Sequence, residues 1–147
     1  MRRILLLCAA AALAGCAKTD DQAAEGAAAT LSLADIAGKW TVRGMPENSD
    51  SVLVTYEVNA TATTAGWTTV LPNRDPVSLH VVPGGDSVVM HTGPFESVLR
   101  PGVMVTTESV VRLVNGVLDG WTVAHYQGAG VGADSVVRLR TRGTRAP

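Results

Sequence analysis

The sequence predicts an all-β domain of eight antiparallel strands in an up-and-down meander that closes into a barrel. From Gly38 onward, short runs rich in valine and threonine are separated by Gly, Pro, Asn and Asp. None of these runs carries the 3.6-residue apolar period of a helix. The connections between the runs are mostly short, which favours a meander. A sandwich would also accommodate the strands, but a closed barrel leaves no exposed strand edge and is preferred.

The first element is a single helical turn within 31–37. Ser32 stands at the N-cap and Asp35 at the capping-box position. In a capping box, the N-cap side chain accepts from a backbone amide of the first turn, and the Asp35 side chain accepts from the backbone amide of the N-cap residue. Eight strands follow, each a Val- or Thr-rich run bounded by turn residues. They are predicted near 39–45, 51–59, 66–71, 77–82, 86–92, 103–114, 117–126 and 135–143.

An acidic residue followed by Ser, Val and a second aliphatic residue recurs along these strands. The acid and the serine suit a turn, and the β-branched residue suits the strand after it, so the motif predicts turns that lead into strands. The intervals between the motifs are too uneven for a repeat protein. The motifs begin at Asp50, Asp86, Glu96, Glu108 and Asp134.

The best-determined hairpin surrounds Asn115-Gly116, a preferred two-residue type I′ turn. This turn pairs Leu113 with Leu118 and sets Arg112 opposite Asp119, which predicts a cross-strand ion pair. Trp121 falls on the charged, outward face. The inward face is predicted to carry Val105, Val111, Leu113, Leu118, Ala124 and Tyr126.

A second hairpin is predicted at Gly84-Gly85, which would pair Val82 with Ser87 and make His80 and His91 diagonal neighbours. A metal site needs three or four ligands, and the pattern places no carboxylate beside these histidines. The sequence therefore predicts no metal site and no cofactor.

The amino terminus has the order of a secretion signal. Two arginines follow Met1, an apolar run covers 4–12, and Leu13-Ala14-Gly15-Cys16 closes the segment. This ending resembles the lipobox of bacterial lipoproteins. The resemblance implies a signal peptide at 1–15, cleavage before Cys16, and acyl chains on Cys16 that insert into membrane lipid. Ala17 stands where the family's inner-membrane retention signal is typically Asp, which implies an outer-membrane address facing the periplasm.

Residues 16–30 contain no large apolar side chain and predict a flexible tether, which leaves 31–147 as the β domain. The 131 residues after Cys16 contain no cysteine, so a disulfide or a thiol nucleophile is excluded there. Without Arg2 and Arg3, 10 of the 12 basic residues remain against 13 acidic ones, a net charge of −3. That balance argues against a nucleic-acid partner.

Gly38-Lys39-Trp40, at the start of the first strand, resembles the opening of lipocalins and related calycin barrels. The resemblance implies that Trp40 closes the barrel floor and packs on a basic residue from the last strand. The family's Thr-Asp-Tyr type motif is absent. The basic residues predicted for that contact are Arg138, Arg140 and Arg142.

No constellation of catalytic residues is predicted. Gly85-Asp86-Ser87 is similar to some serine-nucleophile motifs, but it lacks the second glycine or strained elbow that builds an oxyanion hole. The glycine-rich 128–132 joins two predicted strands, whereas a phosphate-binding loop leads into a helix. We therefore expect a non-catalytic small-ligand-binding barrel, with an apolar pocket lined by Tyr56 and Tyr126 and with Trp40 at its floor. The alternative is a structural or protein-interaction lipoprotein of the cell envelope with a filled core, whose outer surface meets another protein or the cell wall.

Overall fold

A computed structural model describes residues 30–128, 132 and 135–147. Within these residues one short helix precedes eight antiparallel strands, each paired with its neighbour in sequence, and β1 also pairs with β8 to close the barrel. The predicted fold class is therefore confirmed, as a barrel and not a sandwich. The elements are α1 (Leu33–Ile36), β1 (Gly38–Pro46), β2 (Val54–Ala60), β3 (Thr68–Val70), β4 (Val77–Pro83), β5 (Val88–Glu96), β6 (Met104–Val114), β7 (Val117–Gln127) and β8 (Val136–Arg145).

The predicted signal peptide 1–15, the lipidation residue Cys16 and all but the last residue of the predicted tether lie outside the described residues. Near the start of the described residues, Leu31 donates a backbone hydrogen bond to the Gly85 carbonyl, 2.8 Å away. In the part of the chain that the structure describes, no helix is long and apolar enough to cross a membrane.

Helix α1 has the capping predicted for it. The Ser32 hydroxyl accepts from the Ala34 amide at 3.2 Å, and the Asp35 carboxylate accepts from the Ser32 amide at 3.2 Å. These bonds satisfy amides that a helix start otherwise leaves unpaired. Ile36, the last helical residue, is fully buried and begins the core.

The hairpin of β6 and β7 has the predicted turn and register. Asn115 and Gly116 take φ values of 51° and 78°, and Arg112 lies opposite Asp119. The ion pair predicted between those two is wrong, because the Arg112 Nε lies 3.1 Å from Asp86 Oδ2 instead. Asp86 comes from the neighbouring β4–β5 turn, which reaches the same outer surface.

The predicted register of the β4–β5 hairpin is also wrong. Its two central residues are Gly85 and Asp86, because the Gly84 amide donates to the Ser87 carbonyl at 2.8 Å. Gly85 takes the positive φ of 74° at the first turn position, where glycine is favoured. The shift sets His80 directly opposite His91 instead of diagonal to it.

The acid-Ser-Val motif leads into a strand at some positions only. Asp86-Ser87 precedes β5 as predicted, whereas Glu96 ends β5 and Glu108-Ser109 lies inside β6. Asp134 lies outside the described residues. Inside β6 the motif does not mark a turn, because the Ser109 side chain is buried and its hydroxyl bonds to the Thr122 hydroxyl.

The barrel has a closed end and an open end. The closed end carries α1, the connection 61–67 and the turns at 84–87 and 115–116. The open end carries the connections 47–53, 71–76 and 97–103, together with the end of β7 and the start of β8. By their places on the strands, most core residues lie toward the closed end, so this half of the interior is packed. They include Ile36, Trp40, Val42, Val58, Trp67, Val88, Val111 and Leu118.

Candidate functional site

Trp40 closes the barrel at its packed end. The indole is fully buried and its Nε1 donates to the Ile36 carbonyl at 2.7 Å. The Arg145 guanidinium carbon lies 4.5 Å from the centre of the Trp40 ring. The same guanidinium donates to the Asp35 and Ala37 carbonyls at 2.6 and 2.9 Å, and so ties the last strand to α1.

The basic partner of Trp40 is therefore Arg145, and the prediction of Arg138, Arg140 or Arg142 is wrong. Those three have even numbers, and on β8 the odd-numbered residues from 139 to 143 face the interior. Arg138 stacks outside on Trp121, with its guanidinium carbon 4.3 Å from the ring centre.

A cavity of about 80 Å³ occupies the interior toward the open end. Tyr56 and Tyr126 line it, whereas Trp40 lies below it and is not part of the lining. Its apolar wall includes Leu71, Leu79, Met90, Phe95, Val105 and Leu139. None of its described lining residues is charged, so the interior selects against an ion that arrives without a counter-charge.

One side of the cavity is a chain of hydroxyl groups. The Thr122 hydroxyl lies 2.7 Å from that of Ser109 and 2.7 Å from that of Thr141, and all three residues are buried. The Tyr56 hydroxyl also bonds to Thr122. Since each hydroxyl both donates and accepts, this hydroxyl chain can reorient toward a donor or an acceptor on a guest molecule.

Tyr56 remains a neutral phenol in this setting. Burial raises its pKa from 10.0 to about 12, and the hydrogen bond with Thr122 opposes part of that rise. Tyr56 therefore offers the cavity an uncharged hydroxyl at physiological pH.

The sequence reading missed Ser109, Thr122 and Thr141. Strand alternation contains the signal, because Ser109 shares the inward phase of Val111, and Thr122 shares that of Ala124. Glu108-Ser109 also fits the acid-Ser-Val turn motif, and that assignment concealed the inward position of Ser109.

The connection 97–103, which we call the mouth loop, folds over the cavity. Val98 and Leu99 contribute to the lining. The buried Ser97 hydroxyl accepts from the Leu99 and Arg100 amides at 3.1 and 3.0 Å, and the Arg100 guanidinium carbon lies 4.2 Å from the centre of the Tyr126 ring. These contacts hold the loop in a compact turn across the open end.

Large apolar side chains are exposed around this end of the barrel. They are Val52, Leu53, Leu99, Met104 and Val136. Val82 and Val114 near the closed end and Trp121 on the outer wall are exposed as well, so exposed apolar side chains are not confined to this end.

The outer wall carries a shallow groove lined by His80, His91, His125 and Glu108. The imidazole centres of His80 and His91 lie 6.2 Å apart, and His91 Nδ1 lies 3.5 Å from Glu108 Oε2. The structure thus brings beside the histidines the carboxylate that the sequence did not place there. Across residues 30–128, 132 and 135–147, no group of three or more His, Cys, Asp or Glu side chains is arranged to hold a metal ion.

Two further motifs from the sequence lie in connections between strands: Gly85-Asp86-Ser87 and the glycine-rich 128–132. The Ser87 hydroxyl donates to the Gly84 carbonyl at 3.2 Å within the β4–β5 turn. The glycine-rich segment connects β7 to β8, and of it Gly128 and Gly132 are described and exposed, while 129–131 lie outside the described residues.

No protein-family model, curated protein or solved structure matches this chain. The site is a partly enclosed cavity that has no charged residue among its described lining residues and one hydroxyl-rich side.

Proposed function

We propose that the protein is a non-catalytic binding module for a small, uncharged and mostly apolar molecule that carries one hydrogen-bonding group. The observation that carries this proposal is the cavity lined by Tyr56 and Tyr126 in a barrel whose other half is packed. Small barrels of eight strands either fill their interior or hold one small ligand. The apolar wall would contact the body of the ligand, and the hydroxyl chain would bond its polar group.

The volume limits the size of that ligand. About 80 Å³ is room for two or three groups the size of a water molecule. Sites for drug-sized molecules begin at about 300 Å³. A larger ligand would require Val98 and Leu99 of the mouth loop to move outward, since these side chains cover the cavity.

The proposal also sets the protein in the cell envelope, anchored by acyl chains on Cys16 and facing the periplasm from the outer membrane. The chain enters the domain at the closed end, where Leu31 bonds to Gly85. A tether that arrives there would leave the open end of the barrel directed away from the lipid surface, toward molecules in the periplasm.

Native mass spectrometry of the processed protein, purified from membranes in mild detergent, tests the binding proposal. The wild type is expected to carry a small co-purified molecule. Ala124→Leu adds three carbon atoms to a residue that lines the cavity, and is expected to lose the molecule. Val123→Leu, one residue away on the outer face, is the matched control and keeps it. A wild type that carries nothing, or an adduct that survives Ala124→Leu, contradicts the pocket.

The anchor has a separate test. Cys16→Ser is expected to leave the precursor unprocessed or to release the protein from the membrane fraction, because it removes the thiol that receives the acyl chains. Recovery of a normally matured, membrane-bound Cys16→Ser protein would refute the anchor and leave the pocket untouched.

A second candidate function is that of an envelope protein with a filled core that binds another protein. The small cavity and the exposed Leu53, Met104 and Val136 at the open end favour it. Replacing those three residues by serine would abolish binding of a protein partner while leaving a small-molecule adduct in place, so the two functions can be separated.

A further inference from the structure

All three histidines of the chain line one groove on the outer wall of the barrel. They come from β4, β5 and β7, and Glu108 of β6 lies between two of them in the strand order. This groove is separate from the interior cavity, since its histidines and Glu108 lie on the outward face of their strands.

His80 and His91 form a direct cross-strand pair in the β4–β5 ladder. Side chains in such pairs begin about 5 Å apart and point to the same side of the sheet. The two imidazoles are tilted by 33° with their centres 6.2 Å apart. Both side chains are free to change torsion because the residues are exposed.

That spacing suits one shared metal ion. Each imidazole nitrogen binds zinc at about 2.0–2.1 Å, which puts two ring centres about 5 to 6 Å apart when they share an ion. The observed 6.2 Å between the ring centres is slightly longer than that spacing.

Glu108 is placed as the carboxylate to which a metal-binding histidine usually donates its second ring N–H. Its Oε2 lies 3.5 Å from His91 Nδ1, in direct register across β5 and β6. The 3.5 Å separation is an ion-pair distance; on closing to hydrogen-bond length, the carboxylate would hold the proton on Nδ1 and leave the Nε2 lone pair for the metal.

We propose that His80 and His91 are a two-histidine site for a first-row divalent transition ion such as Zn²⁺, Cu²⁺ or Ni²⁺. Imidazole is a preferred ligand of these ions and a poor one for Mg²⁺ or Ca²⁺. Glu108 is a positioning residue for His91. Since the described residues provide no third ligand in place, water completes the coordination, and a bound ion stays open to a further ligand from solution.

Calorimetric titration of the full-length mature protein, without a histidine tag, tests this site with Zn²⁺ and Ni²⁺ as probes. The wild type is expected to bind one ion per chain. His80→Gln and His91→Gln are each expected to weaken binding by about tenfold or more, since each removes one of two ligands. His125→Gln is the matched control, because it changes a histidine of the same groove that has no cross-strand histidine partner.

Glu108→Gln is expected to weaken binding by about tenfold without abolishing it. Nitrogen NMR of the metal-free protein separates this positioning role from a loss of fold, because the His91 proton is expected to stay on Nδ1 in the wild type and to be shared between Nδ1 and Nε2 in Glu108→Gln. Absence of binding up to about 1 mM ion, an affinity unchanged in His80→Gln or His91→Gln, or an equal loss in His125→Gln would each overturn the proposal.

Discussion

In the barrel interior the Thr122 hydroxyl lies 2.7 Å from the Ser109 hydroxyl, and it bridges onward to Thr141 at the same distance. Thr122→Val removes the central member and leaves the Ser109, Thr141 and Tyr56 hydroxyls without this partner. We expect the free energy of unfolding to fall by about 1 to 3 kcal/mol. Urea unfolding measures the change, with Thr144→Val on the exposed face of β8 as a control expected within about 0.5 kcal/mol of wild type. Equal effects at Thr122 and Thr144 would contradict a buried hydroxyl chain.

Gly120 sits where β7 passes closest to β6. A Cβ at this position would overlap the Val110 carbonyl oxygen, a backbone atom that cannot move aside cheaply. Gly120→Ala is therefore expected to lower the free energy of unfolding by about 3 kcal/mol or more, or to prevent folding. Gly132→Ala has open space around its Cβ and is expected to unfold like the wild type. Thermal unfolding followed by circular dichroism distinguishes them, and a Gly120→Ala protein as stable as Gly132→Ala would show that the strands do not approach so closely.

Arg145 joins the last strand to α1 and covers Trp40. Arg145→Ala removes the hydrogen bonds to the Asp35 and Ala37 carbonyls and the stacking on the indole. We expect a loss of about 1 to 2 kcal/mol in the free energy of unfolding and faster amide exchange in α1. Arg142→Ala, an exposed arginine on the same strand, is the control. If Arg142→Ala accelerated exchange in α1 as much, the assignment of Arg145 as the partner of Trp40 would fail.

Tyr56 makes stability depend on pH in the alkaline range. Its pKa is raised to about 12 in the folded barrel, while the unfolded chain has the ordinary value of 10.0. The protonated phenol contributes fully to the free energy of unfolding below pH 10. This contribution is lost as pH rises toward about 12, because the unfolded state releases the proton first. The loss amounts to about 2 kcal/mol. Wild type should lose that amount of unfolding free energy relative to Tyr56→Phe over the interval; a difference between the two proteins that does not change with pH would mean that the phenol is not buried.

Much of the fold was predictable because its signals are local. The capping pair Ser32 and Asp35, the Asn115-Gly116 turn and the alternation along β6 and β7 each depend on residues within a few positions of one another. The β4–β5 turn was less predictable, because Gly84-Gly85 and Gly85-Asp86 are both acceptable turn centres and only the hydrogen bond between Gly84 and Ser87 decides between them.

The candidate site was predictable only in part. Tyr56 and Tyr126 were expected to line an apolar pocket, and both line the cavity. The cavity itself arises from how side chains of several strands fill a closed volume, and no local pattern encodes that. Two other features depend on the register between strands: the contact of Arg145 with Trp40, and the row of His80, His91 and Glu108 across three strands. The sequence specified that register only for the hairpin at Asn115-Gly116.

The central claim, that the cavity admits a small uncharged molecule, is tested most directly by methyl NMR of Met45, Met90 and Met104. Met90 lines the cavity, whereas Met45 and Met104 lie outside it and serve as internal controls. Titration with ethanol or 1-propanol, which match the room available, is expected to shift the Met90 methyl signal saturably in wild type and not in Ala124→Leu. A Met90 signal that moves no more than those of Met45 and Met104, or that moves equally in Ala124→Leu, would contradict a binding cavity.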